Sequence, residues 1–248
     1  SSIMSKKIAE GLNGLVMDIK VGNGTFMKTI EEAKQLALSL KKIGDAFNIN
    51  TDIVYTDMSQ PLGRYAGLHC EVLEALDCLK GKGPKDLIEV SFQLGAKILI
   101  QSKTVKNIQS ANRLMLDTIN NGNALKKFEE IVNKQNGDVS YLNSKKIIPK
   151  YEITVKSDET GFVSSLKTEK IGWSLVEIGC GRKTEKDKLD YSAGIEFIKK
   201  IGDKVNRGDT IYRIFGNDIK KLNNAKIILE KTYFLTDAEV LQPKLIIN

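Results

Sequence analysis

Apolar residues along the first part of the chain recur with the spacing of a strand, then a helix, then another strand. The stretch LVMDIKV, residues 15–21, places its odd-numbered apolar residues on one side and is typical of a β-strand. Thr29 with Glu32 three positions later forms the capping-box pattern of a helix start, and DIVYTD, residues 52–57, predicts a second strand. This order favours a parallel α/β unit.

Helical spacing continues in the stretches 68–79, 87–98, 107–120 and 123–135, and Gly122 separates the last two. From Tyr151 onward the pattern changes to short segments that predict strands alternating with turns. These segments are YEITVKS, GFVSSL, SLVEIGCGR and GDKVNRGDTIYRIFG. The change in pattern predicts a domain boundary between Ser144 and Lys150.

The net charge of +7 is unevenly distributed over the 248 residues. Residues 102–150 hold nine basic and four acidic residues, which accounts for most of the excess. The lysines of this segment lie along predicted helices without interleaved aromatic residues, which indicates a solvated surface rather than a platform for stacked bases. We therefore expect no nucleic-acid partner.

Two further classes are disfavoured by the composition. No apolar run reaches the roughly 18 residues that span a bilayer, and no signal-peptide pattern is present, so we expect no membrane partner and a cytoplasmic location. Cys70, Cys78 and Cys180 have irregular spacing, and His69 is the single histidine. We expect reduced thiols, with neither a disulfide framework nor a zinc site.

The segment after the first predicted strand is the first candidate site. Ligands of parallel sheets bind at the carboxyl ends of the strands, where Asp18 and Lys20 lie and where Gly22 and Gly24 let the backbone approach another group closely. Met27 stands where a dinucleotide-binding fingerprint needs its third glycine. The alternative is that Asp18 and Lys20 interact with each other and only shape a turn.

Several ordered motifs resemble those of thymidine phosphorylases and pyrimidine nucleoside phosphorylases. They are SSIMSKKIAEGL, DIKVGNGTFMKT, TDMSQPLG, IGCGRK and KIGDKVNRGD, and they extend over nearly the whole chain. The resemblance implies the C-terminal two-thirds of such an enzyme. It implies the last helix of a helical lobe (1–12), a partial α/β domain with a mostly parallel sheet flanked by helices (13–147), and a barrel-sandwich-like α+β domain (151–248).

The resemblance also implies a reaction and its residues. Phosphate, the co-substrate, would attack C1′ of thymidine or deoxyuridine, with uridine left open, and release the base and a pentose 1-phosphate. Ser2 and Lys6 match base-contacting residues; Lys6 would stabilise charge on the leaving pyrimidine, and Ile3 and Phe26 would flank the ring. Without the resemblance, Lys6 beside Lys7 reads as a solvated pair and Phe26 as a core residue.

A monovalent-cation site is implied at the QPLG motif, and no organic cofactor is expected. The backbone carbonyls of Leu62 and Tyr65 and the carboxylate of Glu74 would bind potassium. The alternative is a turn followed by solvated glutamates, and Tyr65 departs from the small residues usual there. His69 is expected to pack or face solvent, and Arg182 to lie at a turn or to contact an anion.

The family's glycine-rich phosphate loop and base-binding arginine match no segment of these 248 residues. We therefore expect the chain alone to be inactive and the complete protein to be a homodimer. Two alternatives stay open. One is a relative that acts on nucleoside monophosphates, and the other is a catalytically empty binding or regulatory subunit.

Overall fold

The structure, a computed structural model, describes residues 2–141 and 147–247, without the side chain of Ser2. The α-helices in these ranges are α1 (Ser2–Ala9), α2 (Ile30–Ala46), α3 (His69–Leu79), α4 (Lys85–Gln101), α5 (Ile108–Asn120), α6 (Asn123–Lys134), α7 (Thr168–Ile178) and α8 (Ile219–Leu229). The strands are β1 (Gly14–Val21), β2 (Asn50–Asp57), β3 (Tyr65–Gly67), β4 (Tyr151–Lys156), β5 (Gly161–Leu166), β6 (Gly194–Phe197), β7 (Lys204–Val205), β8 (Thr210–Gly216), β9 (Tyr233–Thr236) and β10 (Ile246–Ile247).

The predicted strand–helix–strand unit is confirmed. β1 and β2 pair in parallel over their whole length, from Gly14 opposite Asn50 to Val21 opposite Asp57. The odd-numbered residues of β1 pack with Met4 of α1 and with one face of α2 in a single apolar cluster. Thr29 and Glu32 form the expected capping box at the start of α2.

Two short strands connect the halves of the chain in a way that the hydrophobic pattern does not predict. β10, from the C-terminal end, pairs antiparallel with β2 in the first sheet. β3, from the first half, pairs antiparallel with β6 at the edge of the four-stranded sheet β3-β6-β8-β4. At this edge Gly67 faces Gly194, and a Cβ atom on Gly67 would lie 2.6 Å from the Ala193 carbonyl oxygen. The absence of side chains lets the two strands approach closely.

The second core lies in the C-terminal part, between the four-stranded sheet, the sheet β7-β5-β9 and the helices α7 and α8. Tyr212, Ile214 and Leu222 are fully buried in it. This arrangement and the first sheet with its helices agree with the predicted α/β region and C-terminal α+β region.

One predicted strand is wrong. The segment SLVEIGCGR, residues 174–182, is not β-rich, because its first five residues form the end of α7. Ile171, Ser174 and Ile178 are buried at the spacing of one helix face, and Gly179, at φ +102°, ends the helix in the left-handed region. The apolar run was too short for its period to be recognised.

The predicted domain boundary between Ser144 and Lys150 stays a prediction. Part of the predicted boundary, including Ser144, lies outside the described residues. Within the described ranges, strand pairing crosses this division twice, through β3 and β10. None of the helices in these ranges is both long and apolar enough to cross a bilayer.

Candidate active site at the glycine loop

The segment of residues 22–28, here called the glycine loop, leaves the carboxyl end of β1 and lies against the loop that follows β2. Gly22 has φ +133°, and its amide donates to the Met27 carbonyl at 3.0 Å. The Gly24 amide donates to the Met58 carbonyl, also at 3.0 Å. A Cβ atom on Gly24 would lie 2.8 Å from that same carbonyl oxygen, so the contact requires glycine.

The tip of the glycine loop exposes an aromatic ring. Phe26 is 94% exposed, whereas its neighbour Met27 packs against the apolar cluster that contains Met4 and Val21. The interpretation of Phe26 as a core residue is therefore wrong. Met27 of the glycine loop and Met4 of α1 therefore belong to one apolar cluster.

Helix α1 has a buried face and an open face. Met4 is 1% exposed and anchors the helix in the cluster, with Ile8 one turn later on the same face. Lys6 lies about 200° around the helix from Met4 and is exposed, as is Ile3 at 55%. Within the described residues the Lys6 ammonium forms no hydrogen bond or ion pair, whereas Lys7 pairs with Glu10 at 3.1 Å.

The charged residues of β1 interact with each other and with β2. Lys20 Nζ lies 2.7 Å from the Asp18 carboxylate, which also accepts a hydrogen bond from Thr56 Oγ1 at 2.5 Å. These contacts agree with the mutual interaction in the alternative interpretation, but they lie within the paired strands β1 and β2 rather than in a turn.

The loop after β2, residues 58–64, is held by two carboxylates. Glu74, 7% exposed, accepts hydrogen bonds from the amides of Arg64 at 2.8 Å and Tyr65 at 3.5 Å. Burial raises the pKa of Glu74 although these amides oppose the shift. Gly63, at φ +73°, leaves no room for a Cβ beside the Glu74 carboxylate, and its amide donates to Asp86 at 3.1 Å.

Two residues around this loop, Tyr65 directly after it and Asp86, which accepts from one of its amides, are joined to the C-terminal half by a hydrogen bond and an ion pair. Asp86 pairs with Lys200 at 2.5 Å; burial would raise the pKa of Asp86, but the Lys200 ammonium lowers it overall. The Tyr65 hydroxyl donates to the buried Glu196 at 3.0 Å, and Glu196 also pairs with Arg213. Buried or half-buried carboxylates need such partners to remain charged.

A cleft of about 740 Å³ lies between the two loops, α3 and α7. Leu62, Tyr65 and Glu74, the three residues predicted to bind a cation, all line it, together with Trp173 of α7. Ile3, Lys6 and Phe26 do not line this cleft, and the side chain of Ser2 is outside the described part. The structure thus brings together the three residues predicted to bind a cation. It leaves Ile3, Lys6 and Phe26, which are predicted to contact the base, exposed and outside this cleft.

The remaining candidates are His69, Arg182 and the three cysteines. Burial lowers the pKa of His69, which lines a smaller cavity near Arg213, and Arg182 is exposed. All three cysteines are free, and burial raises the pKa of Cys70 and of Cys180 to about 12. These thiols stay protonated at neutral pH.

Asn23 and Thr168 join the glycine loop to α7, and the sequence did not single them out. The Asn23 side chain bonds to the backbone at the start of α7, 145 residues away, and Thr168 contacts both loops. The position of Asn23 between two glycines was the one available signal. Nothing near Thr168 in the sequence marks it, because its contacts are all tertiary.

Comparison with models of known protein families shows which family the first half of the chain matches. A family model described as glycosyl transferase family, a/b domain, matches residues 1–125, which is half of the chain. The chain therefore belongs to this glycosyl transferase family. The match includes α1 within the same family model, and the prediction that residues 1–12 are the last helix of a helical lobe stays a prediction.

A second match gives the particular family. A model described as the pyrimidine nucleoside phosphorylase C-terminal domain matches residues 162–235. A pyrimidine-nucleoside phosphorylase of Staphylococcus haemolyticus (strain JCSC1435) is 41% identical over 233 residues, which cover 91% of this chain and 54% of that protein. One of Staphylococcus aureus (strain USA300) is 39% identical over 238 residues, covering 93% and 55%. The resemblance to pyrimidine nucleoside phosphorylases is confirmed. The chain spans about half the length of these curated relatives, which does not match the predicted two-thirds.

The exposure of Phe26 can be tested against the burial of Met27. We expect Phe26→Ala to change the free energy of unfolding by less than about 0.5 kcal/mol, because the ring contacts little of the folded chain. Met27→Ala should cost about 1–2 kcal/mol through lost packing. Urea unfolding followed by circular dichroism measures both. A loss of stability in Phe26→Ala as large as that in Met27→Ala would show that the ring is part of the core.

Proposed function

We propose that the complete protein is a pyrimidine nucleoside phosphorylase, a pentosyltransferase in which phosphate displaces the base from C1′ of the pentose. The observation that carries the proposal is the open face of α1. Lys6 has no partner there among the described residues, and Ile3 on the same helix and the Phe26 ring at the tip of the glycine loop are exposed. An ammonium without an internal partner, together with exposed apolar side chains that could cover a ring, suits a flat, polar-edged ligand.

The chemistry of the leaving group explains why a cation is needed. As the glycosidic bond breaks, negative charge develops on the pyrimidine and is delocalised onto its carbonyl oxygens. A fixed ammonium at Lys6 would stabilise this charge more strongly in the transition state than in the ground state. Ser2 would bond the ring edge, and Ile3 and Phe26 would exclude water from the ring faces.

Phosphate binding is proposed to come from groups outside these 248 residues. The glycine-rich phosphate loop that the resemblance implies matches no segment of this chain, and the chain spans about half the length of the curated relatives. The chain alone would then bind a base weakly without turnover. A homodimer and a cytoplasmic location are part of the same proposal, which covers thymidine and deoxyuridine as substrates and leaves uridine open.

Base binding tests the role of Lys6. We expect Lys6→Met to weaken the binding of uracil or thymine by about tenfold, since a hydrogen bond to a charged group contributes about 1.5–3 kcal/mol. Lys7→Met is the matched control, because it removes the same charge from the same helix where the ammonium already pairs with Glu10. Chemical-shift titration of all three proteins gives the affinities.

Two results of this titration would count against the proposal. One is an affinity in Lys6→Met equal to that of the unmodified chain. The other is the same loss of affinity in Lys6→Met and Lys7→Met, which would indicate only a general effect of positive charge.

We further propose that Leu62, Tyr65 and Glu74 hold a potassium ion. The residues fit the ion: Glu74 is a buried carboxylate with a raised pKa, and glycine at position 63 keeps the space beside its oxygens free of a side chain. Two amide bonds leave further lone pairs on the carboxylate, and backbone carbonyls at positions 62 and 65 would add neutral oxygen ligands. The ion would offset the cost of burying this charge.

Potassium should stabilise the fold in a pH-dependent way. Because the pKa of Glu74 is raised in the folded chain, protonation of Glu74 stabilises the fold. This contribution to the free energy of unfolding is present below the ordinary pKa of 4.5 and is lost as the pH rises through the pKa of Glu74 in the folded chain. Above that range, potassium should raise the Tm by about 2–4 °C relative to choline chloride at the same ionic strength, and the gain should vanish as Glu74 protonates.

Glu74→Gln should abolish the potassium effect, and Glu71→Gln, an exposed glutamate one turn earlier in α3, should retain it. Thermal melts in both salts at several pH values provide the measurement. A potassium shift that survives in Glu74→Gln would place the ion elsewhere.

A further inference from the structure

Helix α7 lacks a cap from its own preceding residue. Lys167 occupies the N-cap position and makes no side-chain capping hydrogen bond. The first amides of a helix have no partner within the helix and need an external acceptor. For Thr168, the first residue of α7, that acceptor is Asn23 Oδ1 of the glycine loop, at 2.9 Å.

The Asn23 amide makes a second bond to the same segment. Its Nδ2 donates to the Leu166 carbonyl at 2.8 Å, 143 residues away in the sequence. One side chain therefore satisfies a donor and an acceptor on either side of Lys167, as a peptide group of a neighbouring strand would. This pairing also fixes the orientation of the amide, because a flipped amide would lose both bonds.

Thr168 completes the contact with both loops. Its Oγ1 donates to the Ser59 carbonyl at 2.6 Å, and the residue is 6% exposed. A Cβ atom on Gly24 would lie 2.7 Å from Thr168 Cγ2, so the glycine loop packs directly on this side chain. The charged groups at the rim are Lys28, whose Nζ donates to the Asn23 carbonyl at 3.1 Å, and Glu169, 3.6 Å from the same ammonium.

We propose that Asn23 and Thr168 are positioning residues for the candidate base site. Asn23 caps α7 from the glycine loop, and in return α7 fixes the conformation of the loop that presents Phe26. The contacts made by Asn23 and Thr168 are here called the Asn23 clamp. Its effect on base binding rests on the function proposed above, whereas its effect on the loop does not.

Hydrogen exchange of the chain tests the clamp without any ligand. In Asn23→Ala we expect about tenfold faster exchange at the amides of Gly22, Gly24 and Thr168. Gln60→Ala is the matched control, because Gln60 Oε1 accepts from the Ile201 amide at 2.9 Å and so joins the same two halves, with no side-chain hydrogen bond to the glycine loop within the described residues. Unchanged exchange at these amides in Asn23→Ala, or equal acceleration in Gln60→Ala, would overturn the inference.

Asn23→Asp separates the two bonds of the clamp. Near pH 7 the introduced carboxylate still accepts from Thr168 but opposes the Leu166 carbonyl oxygen, so loop exchange should be faster than in the wild type at the same pH. Near pH 3 the protonated carboxyl can donate to the Leu166 carbonyl. The ratio of the loop exchange rate in Asn23→Asp to that in the wild type should then return toward one. A ratio that does not depend on pH would contradict the assignment of the Leu166 bond.

Uracil affinity then tests the positioning role. We expect Asn23→Ala to weaken uracil binding about fivefold to tenfold and Gln60→Ala to leave it unchanged. Faster loop exchange with unchanged affinity would overturn the positioning role. If the wild-type chain itself binds no uracil, the proposed function fails, and the exchange data still decide whether the clamp exists.

Discussion

The close approach of the glycine loop to its neighbours is the constraint on which the rest of the structure depends. Gly24 lies against both the Met58 carbonyl and the Thr168 side chain, which leave no space for a Cβ atom. Met27 ties the same loop to the cluster that anchors α1. Through these contacts, the end of β1 links the helix that carries Lys6, the loop after β2 and the C-terminal half into one arrangement.

Three carboxylates at the junction of the two halves show how the chain accommodates buried charge. Glu74 is held by backbone amides, and its pKa is raised by burial. Asp86 has the Lys200 ammonium, and Glu196 has Arg213 and the Tyr65 hydroxyl. Of the three, Glu74 alone lacks a basic side chain as a direct hydrogen-bonding or ion-pair partner within the described residues, and this is why a bound cation is proposed there.

Local patterns in the sequence were sufficient for part of this fold. The capping box at Thr29 and the alternation along residues 15–21 are set by neighbours within a few positions, and both were predicted. The strand β3 and the pairing of β10 with β2 were not predicted. β3 has three residues and β10 has two, and strands this short show no detectable period in the sequence. The end of α7 was misread as a strand for a related reason: its helical period shows only together with Ile171, upstream of the apolar run.

The candidate site was predictable to a similar degree. The resemblance identified Lys6, Phe26 and Glu74 as candidates, and the structure adds their exposure or burial, which no local pattern determines. Asn23 and Thr168 meet across more than 140 residues, and this contact depends wholly on tertiary structure. A crystal structure of the chain with bound uracil would test the central claim most directly. The account predicts the ring against Phe26, with Lys6 Nζ within hydrogen-bonding distance of a pyrimidine carbonyl oxygen. Uracil bound instead in the cleft beside Trp173, with Lys6 in solvent, would contradict it.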